Sequence, residues 1–248
     1  FRAGDQAVDP SQSAEWKRGA YLVQGLAHCA ECHGARNALG GLKADGDTGG
    51  QLPMQEGYAP SLHRATEAGV ADWPLADIVA LLQTGQSSRG HASGPMAEVV
   101  QQSTQHLTDA DLQAMAVYLK SLPQRPEMPA AASAAPGSGQ PGKRLYEDHC
   151  SRCHGERGEG VSGAYPALAG NRAVLMADTT NLVQAVLHGG FAPATAGNPR
   201  PYGMPPFVLV LDDAQIAAVL SHLRSAWGNA APKVTELEVN RVRAAQGR

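Results

Sequence analysis

Apolar side chains recur along this chain at the three- and four-residue spacing of a helix, in blocks separated by stretches rich in glycine and proline. Trp16, Ala20, Val23 and Ala27 form the first block, with Ser13 placed to cap it, and predict a helix that delivers the chain to Cys29. Leu75, Ile78, Val79 and Leu82 form the second. Asp72 is its expected cap, Pro74 falls in the first turn where its missing N–H costs nothing, and Gly85 ends the helix. A third block, Leu112, Met115, Ala116 and Leu119, begins at Thr108 and stops at Pro123. Such a stripe is the ordinary way to bury a helix, so Met115 is read as core. Residues 1 to 12 are polar and without period, and Gly34 to Gly57 and Gln86 to Pro95 read as loops.

The second half repeats the plan of the first. The stretch from Asp77 to Gly85 has its counterpart from Asn181 to Gly189, and Leu107 to Leu112 has its counterpart from Leu211 to Ile216. In the latter pair a capping residue is followed three positions later by a side chain able to reach back. This internal duplication predicts an all-α fold built from two tandem copies of one helical domain. Between the copies lies a stretch of Pro, Ala, Ser and Gly without large apolar side chains, which reads as a linker. The expected boundaries are a first domain at 1–125, a linker at 126–141, a second domain at 142–230 and a C-terminal tail at 231–248.

Candidate chemistry sits at the front of each copy. Cys29-Ala30-Glu31-Cys32-His33 returns as Cys150-Ser151-Arg152-Cys153-His154. Two thiols separated by two residues and followed at once by an imidazole form the pattern by which haem is attached covalently. Each thiol adds to one haem vinyl group as a thioether, and the intervening turn carries the adjacent His beneath the iron. A redox dithiol would not need the His, and a zinc site would need the two pairs brought together across more than a hundred residues. Four cysteines are present and the two motifs use all of them. The expectation is two covalently attached haem c groups, held by Cys29, Cys32, Cys150 and Cys153, with His33 and His154 as axial ligands.

A sixth ligand must come from the far side of the ring, hence from a segment distant in sequence. Met96, after Gly94 and Pro95, and Met204, between Gly203 and Pro205, occupy the same slot between the middle and last helices of each copy. Met/His pairing is an established haem ligation. His91 and His188 are the main competitors, and Met54, Met128 and Met176 read as packing or surface. Pro60 and Pro166 are placed to offer a carbonyl to the free N–H of His33 and His154, and Trp73 and Arg89 to meet haem propionates.

Composition changes this picture little. Aromatic residues make up 5% of 248, low for two compact cores, and two porphyrins would fill the centres that aromatic clusters otherwise occupy. No run of about 18 apolar residues occurs, so no membrane span is expected, although peripheral association with a membrane is compatible with that. Haem is attached to such motifs outside the bacterial cytoplasm, which predicts a periplasmic protein whose signal or anchor was removed. Residues 1–125 carry nine Lys and Arg against thirteen Asp and Glu, and residues 126–248 eleven against ten. That division suggests two ends meeting different partners, with Asp45, Asp47 and Glu56 on one and Arg152, Arg157 and Arg172 on the other.

Both copies resemble class I cytochrome c domains, and the chain is similar over roughly residues 15 to 245 to the cytochrome c subunits of bacterial periplasmic alcohol and aldehyde dehydrogenases. The resemblance is carried by Arg18 to Val23, Gly94 to Val100, Asp109 to Leu112, Ala116 to Pro123, Tyr165 to Asn171 and Ser225 to Asn229. Typical members have three haem domains, of which this chain looks like the second and third. The resemblance implies an electron carrier or electron-transfer subunit without a catalytic residue of its own. Its donor would be a periplasmic dehydrogenase and its acceptor a soluble cytochrome, cupredoxin or terminal oxidase; no nucleic acid is involved. The alternative is a dihaem enzyme, peroxidase-like or thiosulfate dehydrogenase-like. The first needs a releasable axial site and the second a Cys ligand, and no spare Cys exists.

Overall fold

The computed structural model describes residues 10–43, 49–52, 57–126 and 139–245. Asp45, Asp47, Met54, Glu56, Met128 and most of the expected linker lie outside them. The first half runs α1 (Ala14–Ala20), a π-helical turn (Tyr21–Leu26), α2 (Cys29–His33), β1 (Gly50–Gln51), β2 (Tyr58–Ala59), α3 (Leu75–Thr84), α4 (Pro95–Gln102), a 3-10 turn (Thr104–His106) and α5 (Asp109–Lys120). The second runs α6 (Gln140–His149), α7 (Ser151–His154), α8 (Arg172–Leu175), α9 (Thr180–His188), β3 (Gly190–Phe191), β4 (Gly203–Met204), α10 (Asp213–Ser225) and α11 (Glu236–Ala245). Helices dominate, as expected, with a two-residue antiparallel hairpin added to each half.

Each half is built on one helix crossing, α1 on α5 and α6 on α10. Both crossings close on a glycine. A Cβ on Gly19 would lie 2.0 Å from the carbonyl oxygen of Ala114 and 2.8 Å from Cβ of Tyr118. One on Gly142 would lie 2.3 Å from the carbonyl oxygen of Ala218 and 3.1 Å from Cβ of His222. Because backbone cannot step aside as a side chain tip can, a larger residue there must part the helices. Gly19→Val is therefore expected to cost about 3 kcal/mol, the upper end for overpacking, measurable as a lowered denaturant midpoint. An unchanged midpoint would show that this crossing is not tight in solution. Around the first crossing, the Trp16 indole N–H donates to Ser121 Oγ at 2.6 Å, and its ring meets Tyr118 edge-on with centroids 5.0 Å apart. Around the second, Tyr146 packs against both His222 and Trp227.

Several expectations need correction. The first helix does not run uninterrupted to Cys29: after Ala20 it widens into the π turn, closed by Ala27 N–H donating to the Leu22 carbonyl, and His28 takes a left-handed conformation (φ 49°). Pro74 is the N-cap of α3, not part of its first turn, and Asp72 does not cap it but faces Arg89 and Arg172, each at 3.7 Å. Thr108 caps α5 through Asp111 N–H, but the Asp111 carboxylate goes to Arg18 at 2.7 Å instead of reaching back. The reciprocal capping box forms in the second half alone, between Asp212 and Gln215. Met96 lies inside a helix, not at a loop end. The second domain's first helix begins at Gln140, inside the expected linker. The segment expected as a tail contributes α11, whose Val239, with Val234 before it, is buried in the second core.

Among the described residues the halves touch along two seams. Asn181, near the start of α9, accepts the Tyr58 N–H at 2.9 Å and donates to the Tyr58 carbonyl at 2.6 Å. Beside it Arg172 donates to the Gly69 carbonyl at 2.6 Å, with its guanidinium 5.2 Å from the Trp73 ring centroid. Along the second seam Gln101 and Gln105 bond the backbone of Ala194 and Ala196. Among the described residues no helix is long and apolar enough to cross a membrane.

Candidate haem-binding sites

Cys29, Cys32 and His33 share the single turn of α2, where positions three and four apart lie on one face. In the second half Cys150 ends α6 and starts α7, which carries Cys153 and His154. Burial holds the Cys29 and Cys150 thiols up at about 11, so the thiolate that a redox dithiol or zinc site needs is disfavoured at both positions. A thioether has no charge to bury and fits the same surroundings.

Both imidazoles are oriented by the same device. His33 Nδ1 lies 2.6 Å from the Pro60 carbonyl oxygen, and His154 Nδ1 lies 2.9 Å from that of Pro166. A carbonyl only accepts, so Nδ1 is the protonated nitrogen and Nε2 carries the lone pair, as an iron ligand requires. Burial lowers the pKa of His154 and so favours the neutral ring, and the bond to Pro166 opposes that shift. The two prolines thus stand where the sequence suggested.

Of the methionines expected as sixth ligands, Met96 follows Gly94 (φ 53°) and Pro95 and is the second residue of α4. Met204 ends the β3–β4 hairpin, where Gly189 comes so close that a Cβ would lie 2.1 Å from the Met204 carbonyl oxygen. Met96 and Cys29 pack against one core, and Met204 and Cys150 against the other. The competitors fall elsewhere: His91 and His188 are exposed, and Met176 is buried where α8 ends.

Buried polar atoms test whether these surroundings fit a haem. Trp73 Nε1 and Arg64 Nε are buried N–H donors with no hydrogen-bond partner among the described residues. In the second half Thr195 Oγ1 and Asn198 Nδ2 stand likewise. Unpaired buried donors are uncommon in folded proteins and ask for an acceptor. A haem propionate is one, and with two thiols, a lone-pair imidazole nitrogen and a methionine sulfur per half the residues fit the group. Arg89, the other suggested propionate partner, faces Asp72 at the surface.

Sequence reasoning passed over the polar hub beneath Pro60. The Glu67 carboxylate accepts from the Tyr58 hydroxyl and the Ser61 N–H, each at 2.7 Å, and pairs with Arg64 at 3.0 Å. Burial, then Glu67, push the Tyr58 hydroxyl pKa up. In the second half Asn229 serves its proline segment, accepting from Gly170 N–H at 2.8 Å and donating to the Leu168 carbonyl at 3.1 Å. A lone Glu or Asn in a polar stretch carries no periodic signal that could reveal such roles.

The chain matches the cytochrome c family over residues 16–123 and again over 139–227. It is 39% identical over 241 residues to the cytochrome c subunit of the quinone-type alcohol dehydrogenase of Gluconobacter oxydans, covering 91% of this chain and 50% of that protein. The fructose dehydrogenase cytochrome subunit of Gluconobacter japonicus is 32% identical over 273 residues, covering 95% of this chain and 54% of its own length. A diheme c-type cytochrome of Cereibacter sphaeroides is 40% identical over 118 residues, 47% of this chain and 38% of that one. This chain spans about half the length of the dehydrogenase cytochrome subunits it matches.

Proposed function

This chain belongs to the cytochrome c family, and we propose that it serves a periplasmic dehydrogenase as a dihaem electron-transfer subunit, passing electrons on to a soluble cytochrome, cupredoxin or terminal oxidase. Two covalently attached haem c groups, one per half, are its cofactors and supply sites that take up and release one electron each. The chain's own part is to hold and tune them. Cys29 and Cys32, with Cys150 and Cys153, would anchor the rings; His33 and His154 would offer Nε2 to the iron, and Met96 and Met204 would offer their sulfur. Met/His ligation leaves no open position for substrate and raises the potential. The observation that carries this reading is the repeated His-to-Pro carbonyl bond, at 2.6 and 2.9 Å, with a methionine on the same core as the first thiol in each half. Oxidation of the organic substrate belongs to the partner.

Carbon monoxide tests the proposal. The reduced protein is expected to bind it slowly or not at all at either haem, read from the Soret band. Ready binding would mean a releasable axial position and would move the reading to a dihaem enzyme.

A further inference from the structure

We propose that Asn181, in the second half, is a positioning residue for the first haem: it fixes the Pro60 carbonyl that orients His33, so the potential of that haem depends on this one contact from the other half. The inference rests on His33 being an axial ligand. Its support is a short, stiff path. The Asn181 carboxamide presents an acceptor and a donor, as a peptide group does, and uses both on Tyr58, at 2.9 and 2.6 Å. Tyr58 stands two residues before Pro60. The residue between them, Ala59, is buried and precedes a proline, so its own backbone has little freedom, and the Pro60 ring fixes φ. What holds Tyr58 therefore holds the Pro60 carbonyl.

The far end of the same segment is also gripped across the seam, because Arg172 donates to the Gly69 carbonyl at 2.6 Å. The two halves differ in this respect. The segment following Pro166 is held from within its own half by Asn229, which also donates to the Leu223 carbonyl at 2.6 Å. Thus the second site is fixed locally, whereas the first receives part of its fixing from the other half.

A well-placed carbonyl on Nδ1–H makes the imidazole a stronger donor and favours the ferric ion. Loosening it should raise the potential. The experiment is a spectroelectrochemical titration of the full holoprotein as wild type, Asn181→Ala, and Gln101→Ala with Gln105→Ala, the last opening the seam away from Tyr58. Midpoints are assigned to the two haems with Met96→His as marker. Asn181→Ala is expected to raise the first haem's ferrous-to-ferric ratio at fixed potential by about threefold or more, a tenfold change being 59 mV for one electron. The second midpoint should stay put, and the proximal ring N–H of the first haem should exchange faster with deuterium by NMR. The double Gln variant should leave both midpoints in place. An unmoved first midpoint with both haems still low-spin would overturn the role of Asn181 while leaving the ligands standing. Equal shifts from both variants would assign the effect to docking in general and overturn it too. A wild-type NMR spectrum without a histidine ligand at the first haem would remove the ligand reading and this inference together.

Discussion

Replacing Met96 by His is expected to lower the first haem's midpoint potential by about 0.1–0.3 V, a fraction of the ~0.8 V span that axial ligands cover, and to leave the second close to its starting value. Imidazole is the stronger donor and favours the ferric ion, whereas a thioether favours the ferrous one. Met204→His should do the same to the second haem. The assignment has rivals in each half, so the matching controls are His91→Ala and His188→Ala, both exposed in the fold and both expected to leave the potentials unchanged. If the methionine changes moved nothing while a histidine change did, the distal ligands would have to be reassigned. Redox titration monitored in the α band reads all four variants.

Cys29→Ala combined with Cys32→Ala is expected to leave residues 13–125 open to protease while the second half stays protected. Without a haem the first half has several short helices, Gly-rich loops and a sparse aromatic core to pack on. It would also keep the Trp73 and Arg64 N–H groups buried with no acceptor, at about 1–3 kcal/mol each. Small metal-dependent domains lose their fold with their ion for comparable reasons. Limited proteolysis with mass spectrometry checks this, and a first half that remained compact and resistant would refute haem-dependent folding.

The parts of the fold legible in the sequence are those where one side chain's type or spacing settles the outcome. The apolar stripes of α3 and α5 are long enough to show period, and the Gly85 stop, left-handed at φ 75°, follows from residue type. Helix α4 was hidden because its Pro95 start reads equally well as the end of a loop, and its buried Ala97 and Val100 are too few to show a stripe. Helix α6 is largely polar and buries little besides Gly142 and Tyr146. The two-residue strands of the hairpins have no room for alternation.

The candidate site divides the same way. The contacts of His33 with Pro60 and of His154 with Pro166 were legible because each proline occupies a matched slot after its motif. The Asn181 contact with Tyr58 spans 123 positions and depends on how two halves pack, which no local pattern records.

The π turn before Cys29 bears on how such a chain can be cut and rejoined. Gly19, at the helix crossing, lies ten positions before Cys29, whereas Gly142 lies eight before Cys150. The first half takes up the surplus in the wide turn at Tyr21–Leu26 and the left-handed His28, one turn of the kind that absorbs an inserted residue without breaking a helix. The leader from crossing to attachment point is therefore a matched part in each copy, despite the duplication. A chimera that joins one half's crossing to the other's haem motif within this leader would misplace the thiols by up to two residues. Recombination preserves the geometry only when it exchanges the leader whole, with the break before Gly19 or Gly142.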